Sequence, residues 1–516
     1  MNDMTNKLTT ALIGVAIFIA ATLTGCYQDK GNYDYLDNIG EPVIEAIPGV
    51  TDRNNTLFCL ENELVKLQPV MRFAEGTSEG DYSYEWKRYN KTPEGTYGDY
   101  KQPEVIGTSL NLEYKIAEPP TEYWAVFTVS NKKTGATTSH LFHFIISPLN
   151  GLAVLDVDAS GKGDIGFIRD EDIVVGGDGR VVKNHFSAVN GGKKIEKGRF
   201  FGNCPHNTRK NLYIFADDGG YVLDPGTYKL KEATYLSLFN QTVGTPTTLA
   251  PQAYHFTDAN GGFETIVNDG KIYYVAYMMA WGGAMFNSTT LAGDDYKVAP
   301  VLAGVTNAGN SPGTRAVFFD QQKNRFMNIR LWGALNVPSS TSELFNPGKI
   351  DPAFQFVTLD EGKDGSTCAI FNKEDENGQL SPYLFRVDFK SAEPVPLECS
   401  DISALTGIRD ANAYAFGTRG DFMFYATDSD LYCYRFGREA ETHVFNVTGS
   451  EKISGLMVYV NKDDAQYNGK ILFVTTNGGG SGKVYKFKFN EMTGAITEQG
   501  TVYSGFNHIV DLMYKK

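Results

Sequence analysis

The chain has 516 residues, 42% of them hydrophobic and 21% charged, an ordinary globular composition with length for two or more domains. A formal net charge of −14 argues against nucleic acid and anionic lipid headgroups as partners. With 29 Tyr, 33 Phe and 54 Gly, and few long charged amphipathic runs, the composition favours a β-rich fold.

Lys7 gives the N-terminus a positive charge, and residues 11–23 (ALIGVAIFIAATL) form an apolar run too short to span a bilayer. The run ends in Leu23-Thr24-Gly25-Cys26. Small residues before a cysteine fit a signal-peptidase pocket, and the Cys26 thiol is then the atom that is acylated. Residues 1–25 therefore read as a lipoprotein signal peptide and Cys26 as the lipidation site. Several acyl chains on one residue hold a protein stably to a membrane, whereas one chain does not. No second apolar stretch has the length of a transmembrane helix, so the lipid is the expected anchor. Residues 26–40 (CYQDKGNYDYLDNIG) are polar and rich in Gly, Asn and Asp, as befits a tether.

Residues 41–148 carry short runs of period two. In Tyr82-Ser83-Tyr84-Glu85-Trp86 the three aromatic rings share one strand face. Residues 124–129 (WAVFTV) form a second run, and 131–135 (NKKTG) turn the chain into a third at 141–146 (LFHFII). About a hundred residues of such strands, with Trp86 in a middle one, predict an immunoglobulin-like sandwich with Trp86 in its core.

Pro148-Leu149-Asn150-Gly151 marks a boundary, and residues 149–516 show a loose repeat of strand, Asp/Asn/Gly turn and strand. Its units pair 152–155 with 165–168, 211–215 with 220–223, 315–319 with 325–329, 367–371 with 383–387, 421–425 with 431–435, and 470–474 with 484–488, while 271–275 stands alone. A strand repeat of about fifty residues without helical signal between units predicts a β-propeller. Seven blades are favoured, with six or eight open. The final run, 508–514 (HIVDLMY), is expected to close the ring beside Leu152. The fold class is thus all-β: a sandwich followed by a propeller.

The segment 26–35 (CYQDKGNYDY), with Tyr84-Glu85-Trp86 and Val129-Ser130-Asn131, resembles PKD-like family lipoproteins of Bacteroidetes. The resemblance implies a PKD-like sandwich, an outer-membrane location facing the cell exterior, and an accessory part in Sus-type polysaccharide-utilisation loci beside SusC-like and SusD-like proteins. It carries over no catalytic residues. Acidic residues just after the lipidated cysteine go with surface export in these bacteria, and here Asp29 stands alone among the first four.

Few residues announce chemistry. Gly309-Asn310-Ser311-Pro312-Gly313 spells a nucleophile elbow, but Pro312 and a following strand remove the helix that the elbow needs. Residues 477–483 (NGGGSGK) imitate a phosphate loop without its first Gly and its Ser/Thr, and read as a hairpin. Asp156, Asp158, Ser160 and Asp164 resemble the front of a calcium loop, yet Phe167 occupies the position of the closing acid, so a solvated turn is preferred. Structural calcium is the one cofactor candidate.

With Cys26 lipidated, Cys59, Cys204, Cys368, Cys399 and Cys433 remain, an odd number in no zinc-motif spacing, with Cys368–Cys399 a guess at one bridge. Paired carboxylates for glycoside hydrolysis, roughly 5–9.5 Å apart, cannot be assigned from sequence. Trp281 and Trp332 sit in Gly-rich settings, where an aromatic ring can meet the apolar face of a sugar; Tyr277, Tyr254 and His255 are candidates for the same face. The competing expectation is that these Trp wedge between blades.

Three functions follow: a non-catalytic glycan-binding lipoprotein, a protein–protein scaffold of a SusC/SusD-type complex, or a propeller glycan hydrolase or lyase. The first is favoured.

Overall fold

The computed structural model describes residues 41–516, apart from 52–54, 62, 91–102, 119–120, 243, 280–283, 292–294, 306–312, 375–377, 392 and 439. The expected signal segment, Cys26 and the expected tether lie outside the described residues. The chain divides into two compact units, Met1–Pro148 and Leu149–Lys516.

The first unit is a β-sandwich. Its larger sheet has the spatial order Val50–Thr51, Thr56–Leu60, Thr137–Ser147, Glu122–Asn131, Tyr82–Asn90, Glu104–Gly107. Thr56–Leu60 runs parallel to Thr137–Ser147, and the remaining pairs are antiparallel. Two further strand pairs, Val43–Ala46 with Val70–Arg72 and Leu64–Leu67 with Leu112–Lys115, complete it. Burial alternates along Glu122–Asn131, so Tyr123, Ala125, Phe127 and Val129 all enter the core. Trp86 is fully buried, its ring centroid 4.1 Å from that of Phe127. Its indole N–H donates to the Ser109 carbonyl at 2.9 Å, satisfying the one polar atom that burial would orphan.

The second unit is a seven-bladed β-propeller, counted among the described residues. Blades two to seven are four-stranded antiparallel sheets that begin at Gly198–Cys204, Pro251–Thr257, Ala303–Gly304, Phe354–Glu361, Ala413–Phe416 and Lys452–Val458. In each, strands follow chain order outward from the innermost. The first blade is composite. Gly151–Val157, Lys162–Ile168 and Val181–Val182 come from the start of the unit, and His508–Lys515 is its innermost strand. Leu152 pairs with Tyr514 and Val154 with Leu512, which is the ring closure expected from sequence. Asn477 fastens it: its amide oxygen accepts from the Ile509 N–H at 2.7 Å, and its amide nitrogen donates to the Ile509 carbonyl at 2.9 Å. Closure covers the edge of Gly151–Val157 and leaves the short inner edge of His508–Lys515 facing the ring centre, as in every blade.

The core is distributed. Each neighbouring pair of blades has its own apolar cluster, and the last joins Leu152 and Val154 of the first blade to Phe473 and Val484 of the seventh. Second strands are therefore buried on both faces, as in Asn211–Ala216 and Thr314–Asp320. Gly151 opens the unit with φ +129°, where a Cβ would sit 2.4 Å from the Ile168 carbonyl oxygen.

Two expectations need correction. A five-residue α-helix, His185–Val189, lies within the first blade, between Val181–Val182 and Ile195–Glu196, and short 3-10 turns such as Leu236–Leu238 and Ile408–Asp410 punctuate the later strands. The guessed Cys368–Cys399 bridge is absent, and both cysteines are free. Cys368 shares a cross-strand row with Arg386 and Glu398, whereas Cys399 shares the next row with Phe385 and Ala369. Adjacent rows project to opposite faces of a sheet, so the two sulfurs are kept apart.

Candidate functional site

Strand order divides the propeller loops between two rims. Connections from first to second and from third to fourth strand open on one rim, here the upper; the others open on the lower.

Beneath the upper rim of blades two and three lies a buried carboxylate. Glu264, in Phe263–Asn268, is wholly buried. It accepts hydrogen bonds from the phenols of Tyr254 at 2.9 Å and Tyr213 at 3.2 Å, from Tyr277 at close range, and from Arg209 Nη1 at 3.3 Å. Arg209 comes from the turn after the first strand of blade two, where its N–H bonds the His206 carbonyl at 3.0 Å. Its guanidinium also lies over the Phe286 ring, 4.9 Å from the centroid. Cys204 Sγ is 3.1 Å from the Tyr277 hydroxyl, and the His206 ring stacks on Tyr277 at 3.8 Å.

Burial first, and then the Glu264 charge, push the phenols of Tyr213, Tyr254 and Tyr277 far above their ordinary values. The same two causes push the Cys204 thiol up to about 12. These groups are hydrogen-bond donors at neutral pH, not nucleophiles. The cluster is a compensated ion pair ringed by phenols that pins blade two to blade three.

Two sequence candidates, Tyr254 and Tyr277, thus meet, but inside the protein rather than on a ligand face. His255 follows Tyr254 on the same strand and goes its own way, packing against Gly304 of blade four, where a Cβ would fall 2.3 Å from its Cε1. Its Nε2 is buried, with no hydrogen-bond partner among the described residues. Burial, then the Lys462 charge, lower its pKa to about 4, so the ring is neutral. Lys462 belongs to the upper connection of blade seven and pairs with Asp258 of blade three at 3.1 Å, so this loop reaches across one mouth of the ring.

Trp332 is separate from both. It lies in the upper turn after Arg325–Arg330 in blade four and is 50% exposed, so the structure does not wedge it between blades. The turn closes through bonds from the Arg330 N–H to the Ala334 carbonyl (2.9 Å) and from the Gly333 N–H to the Arg330 carbonyl (2.8 Å). Gly333 has φ +76°, and a Cβ there would collide with the Tyr274 ring. Thr289 Oγ1 donates to the Gly333 carbonyl at 2.8 Å, anchoring the turn to blade three. Met278 and Met285, 50% and 43% exposed, lie on the neighbouring upper connection of blade three. Trp281 and the elbow-like Ser311 lie outside the described residues.

The calcium-like residues sit at the lower rim of blade one. Asp158 Oδ1 accepts from Ser160 N and Oγ and from Lys162 N, closing the hairpin turn. Asp156 accepts from the Asn507 N–H at 2.6 Å, and Asp164 accepts from Ser187 N and from Lys194 Nζ at 2.7 Å. Among the described residues no group of three or more His, Cys, Asp or Glu side chains is placed to hold a metal ion.

Sequence reasoning missed Glu264 and Arg209. The available signal was one acid inside an apolar run, 263–267 (FETIV), next to a Tyr-rich run, 271–277 (KIYYVAY).

No curated protein matches the chain. A quinonprotein alcohol dehydrogenase-like protein of Bacteroides thetaiotaomicron is similar in structure, with 12% identity, 92% of this chain and 99% of that chain covered, and a TM-score of 0.40. A protein from Lactobacillus plantarum is 10% identical, with 71% and 100% covered and a TM-score of 0.47. The Nup133 β-propeller domain of Vanderwaltozyma polyspora is 10% identical, with 62% and 92% covered and a TM-score of 0.36. In sequence, residues 26–197 match the model of the PKD-like family, a span that takes in the expected tether, the whole sandwich and all of the first blade but its innermost strand, His508–Lys515.

Proposed function

We propose that this chain is a lipoprotein anchored in the outer membrane through Cys26, facing the cell exterior, and that it binds glycan without cleaving it for a SusC/SusD-like uptake system. The anchor reading is supported by the order of charge, apolar run and small residues before Cys26, and by a PKD-like match that begins at Cys26 itself.

The observation that carries the glycan reading is Trp332. A half-exposed indole, held on a tight turn by Thr289 and Gly333, is a rigid platform for the C–H face of a sugar ring. It stands on a propeller rim, where loops on a rigid scaffold commonly bind ligands. The Glu264 cluster contributes stiffness under that rim, with its donors protonated and internally bonded.

The test is native affinity electrophoresis of the mature protein, from Tyr27 onward, through gels containing a panel of polysaccharides. Retardation by one class identifies the substrate. Uniform mobility in every gel overturns the reading and favours a protein–protein assembly role.

A further inference from the structure

A second feature of the upper rim lies on the blade next to that of Trp332. A cleft of about 360 Å³ opens between blades five and six. Its wall comes from the first upper connection of blade five (Lys363, Asp364, Ser366), the end of that blade's third strand (Arg386), and Asp421 of blade six. Ligand sites begin at roughly 300 Å³, so the cleft has room for a small molecule or one unit of a chain.

Its charges are balanced and held in place. Arg386 donates to Glu398 at 3.0 Å and to Asp421 at close range, and its guanidinium lies 4.7 Å from the Phe436 ring centroid. Lys363 donates to Asp421 at 2.8 Å. Burial works against the Asp421 charge, but the Lys363 hydrogen bond and the Arg386 charge prevail and hold its carboxyl below the usual range. Lys390 pairs with Asp388 at 3.4 Å. Counting Asp364, the lining holds three cations and three carboxylates, so it has no preference for an ion of either sign.

Two lining groups remain unused. Ser366 is 3% exposed, and its Oγ has no hydrogen-bond partner among the described residues. A buried hydroxyl without a partner is costly, and such groups call for an explanation. Asp364 makes no side-chain hydrogen bond or ion pair among the described residues, and its backbone sits at φ +53°, a conformation that costs energy in a non-glycine residue. Leu397, 44% exposed, adds an apolar edge.

We infer that this cleft is a binding site for one neutral, hydroxyl-rich unit, a sugar residue without charge. Hydroxyls both donate and accept, which suits a lining of alternating ammonium, guanidinium and carboxylate groups. Ser366 Oγ and the Asp364 carboxylate bond two of its hydroxyls, and Leu397 meets a C–H face. The inference rests on the glycan reading above and adds a second, independent contact point and a charge class for the sugar.

The experiment is affinity electrophoresis of the full mature chain and its Ser366→Ala, Asp364→Asn and Trp332→Ala variants through gels of neutral polysaccharides (starch, dextran, mannan, xylan) and of an acidic one (pectate). Ser366→Ala removes an unsatisfied hydroxyl and Asn tolerates positive φ, so both cleft variants are expected to keep their melting temperature. The cleft predicts retardation of the unmodified chain by a neutral polysaccharide, and affinity about tenfold weaker in either cleft variant. Cleft variants retarded as strongly as the unmodified chain, with retardation lost only in Trp332→Ala, overturn the cleft and leave glycan binding standing. Retardation by pectate alone overturns the neutral-sugar assignment. Uniform mobility in every gel overturns both.

Discussion

The Asp511 carboxylate accepts a 2.7 Å hydrogen bond from the backbone N–H of Phe201, 310 residues earlier in the chain. The bond joins the strand that closes the ring to the innermost strand of blade two, so a titrating group sits at the seam. Burial pushes the carboxyl up to about 7, against the lowering effect of the Phe201 and Leu512 N–H groups. The unfolded value is about 3.9. Between about pH 4 and 7 the folded chain therefore holds a proton that the unfolded chain has lost, and stability falls as pH rises through that window. Asp511 is mostly buried, so the effect across this window is on the order of a few kcal/mol. Asp511→Asn is expected to be more stable than the unmodified protein at pH 8 and to lack this part of the decline. Urea unfolding at pH 5 and pH 8 measures both; an equal decline in the variant would place the titration elsewhere.

Glu264 tests whether the buried cluster binds blades two and three together. Glu264→Ala leaves Arg209 charged and buried, and strips an acceptor from three phenols. Breaking a buried pair from one side costs about 3–5 kcal/mol. Glu264→Gln keeps an acceptor oxygen and is expected to lose less. Denaturant midpoints of the two variants check the order, and equal midpoints would mean that the Glu264 charge contributes little.

The ring closure makes a prediction of another kind. Removing residues 508–516 deletes the innermost strand of blade one and leaves Gly151–Val157 as an open edge, with the Asn477 side chain stripped of both its bonds to Ile509. Such an edge pairs with other chains. The shortened chain is expected to elute as soluble aggregate in size-exclusion chromatography, while a monomer with unchanged melting temperature would show that closure is dispensable.

What the sequence made legible follows from burial. The runs recognised as repeat units correspond to second and third strands of blades, such as Asn211–Ala216 with Gly219–Leu223 and Thr367–Glu374 with Leu380–Asp388. These are apolar because both faces meet neighbouring blades. First strands of blades two to seven escaped notice because they mix polarity and carry bulges, as at Gln252, Val357 and Ser454. Outer strands such as Leu230–Thr234 face solvent and carry little pattern. Phe263–Asn268 is the instructive case. It is a second strand buried throughout, yet Glu264 broke its apolar run, so the same residue hid the strand and the cluster. The meeting of Glu264 with Arg209, 55 residues away, is set by blade packing, which periodicity does not encode. Cys368 and Cys399 show the converse, since only register reveals that they face apart.

Trp332 lets stability and the proposed glycan binding be measured apart. Its side chain is half in solvent, and the turn that carries it is held by Gly333, Thr289 and backbone bonds rather than by the indole. Trp332→Ala is therefore expected to stay within about 0.5 kcal/mol of the unmodified protein, the usual range for surface changes. Loss of a stacked aromatic platform, by contrast, is expected to weaken polysaccharide affinity by about tenfold. Gly333→Ala is the complementary change: the added methyl would displace Tyr274 and strain a backbone at φ +76°, moving the ring without removing it. A melting curve and an affinity gel on both variants decide the matter. Affinity lost in both with stability kept in Trp332→Ala assigns binding to the held indole, whereas affinity kept in both would take the platform role away from Trp332.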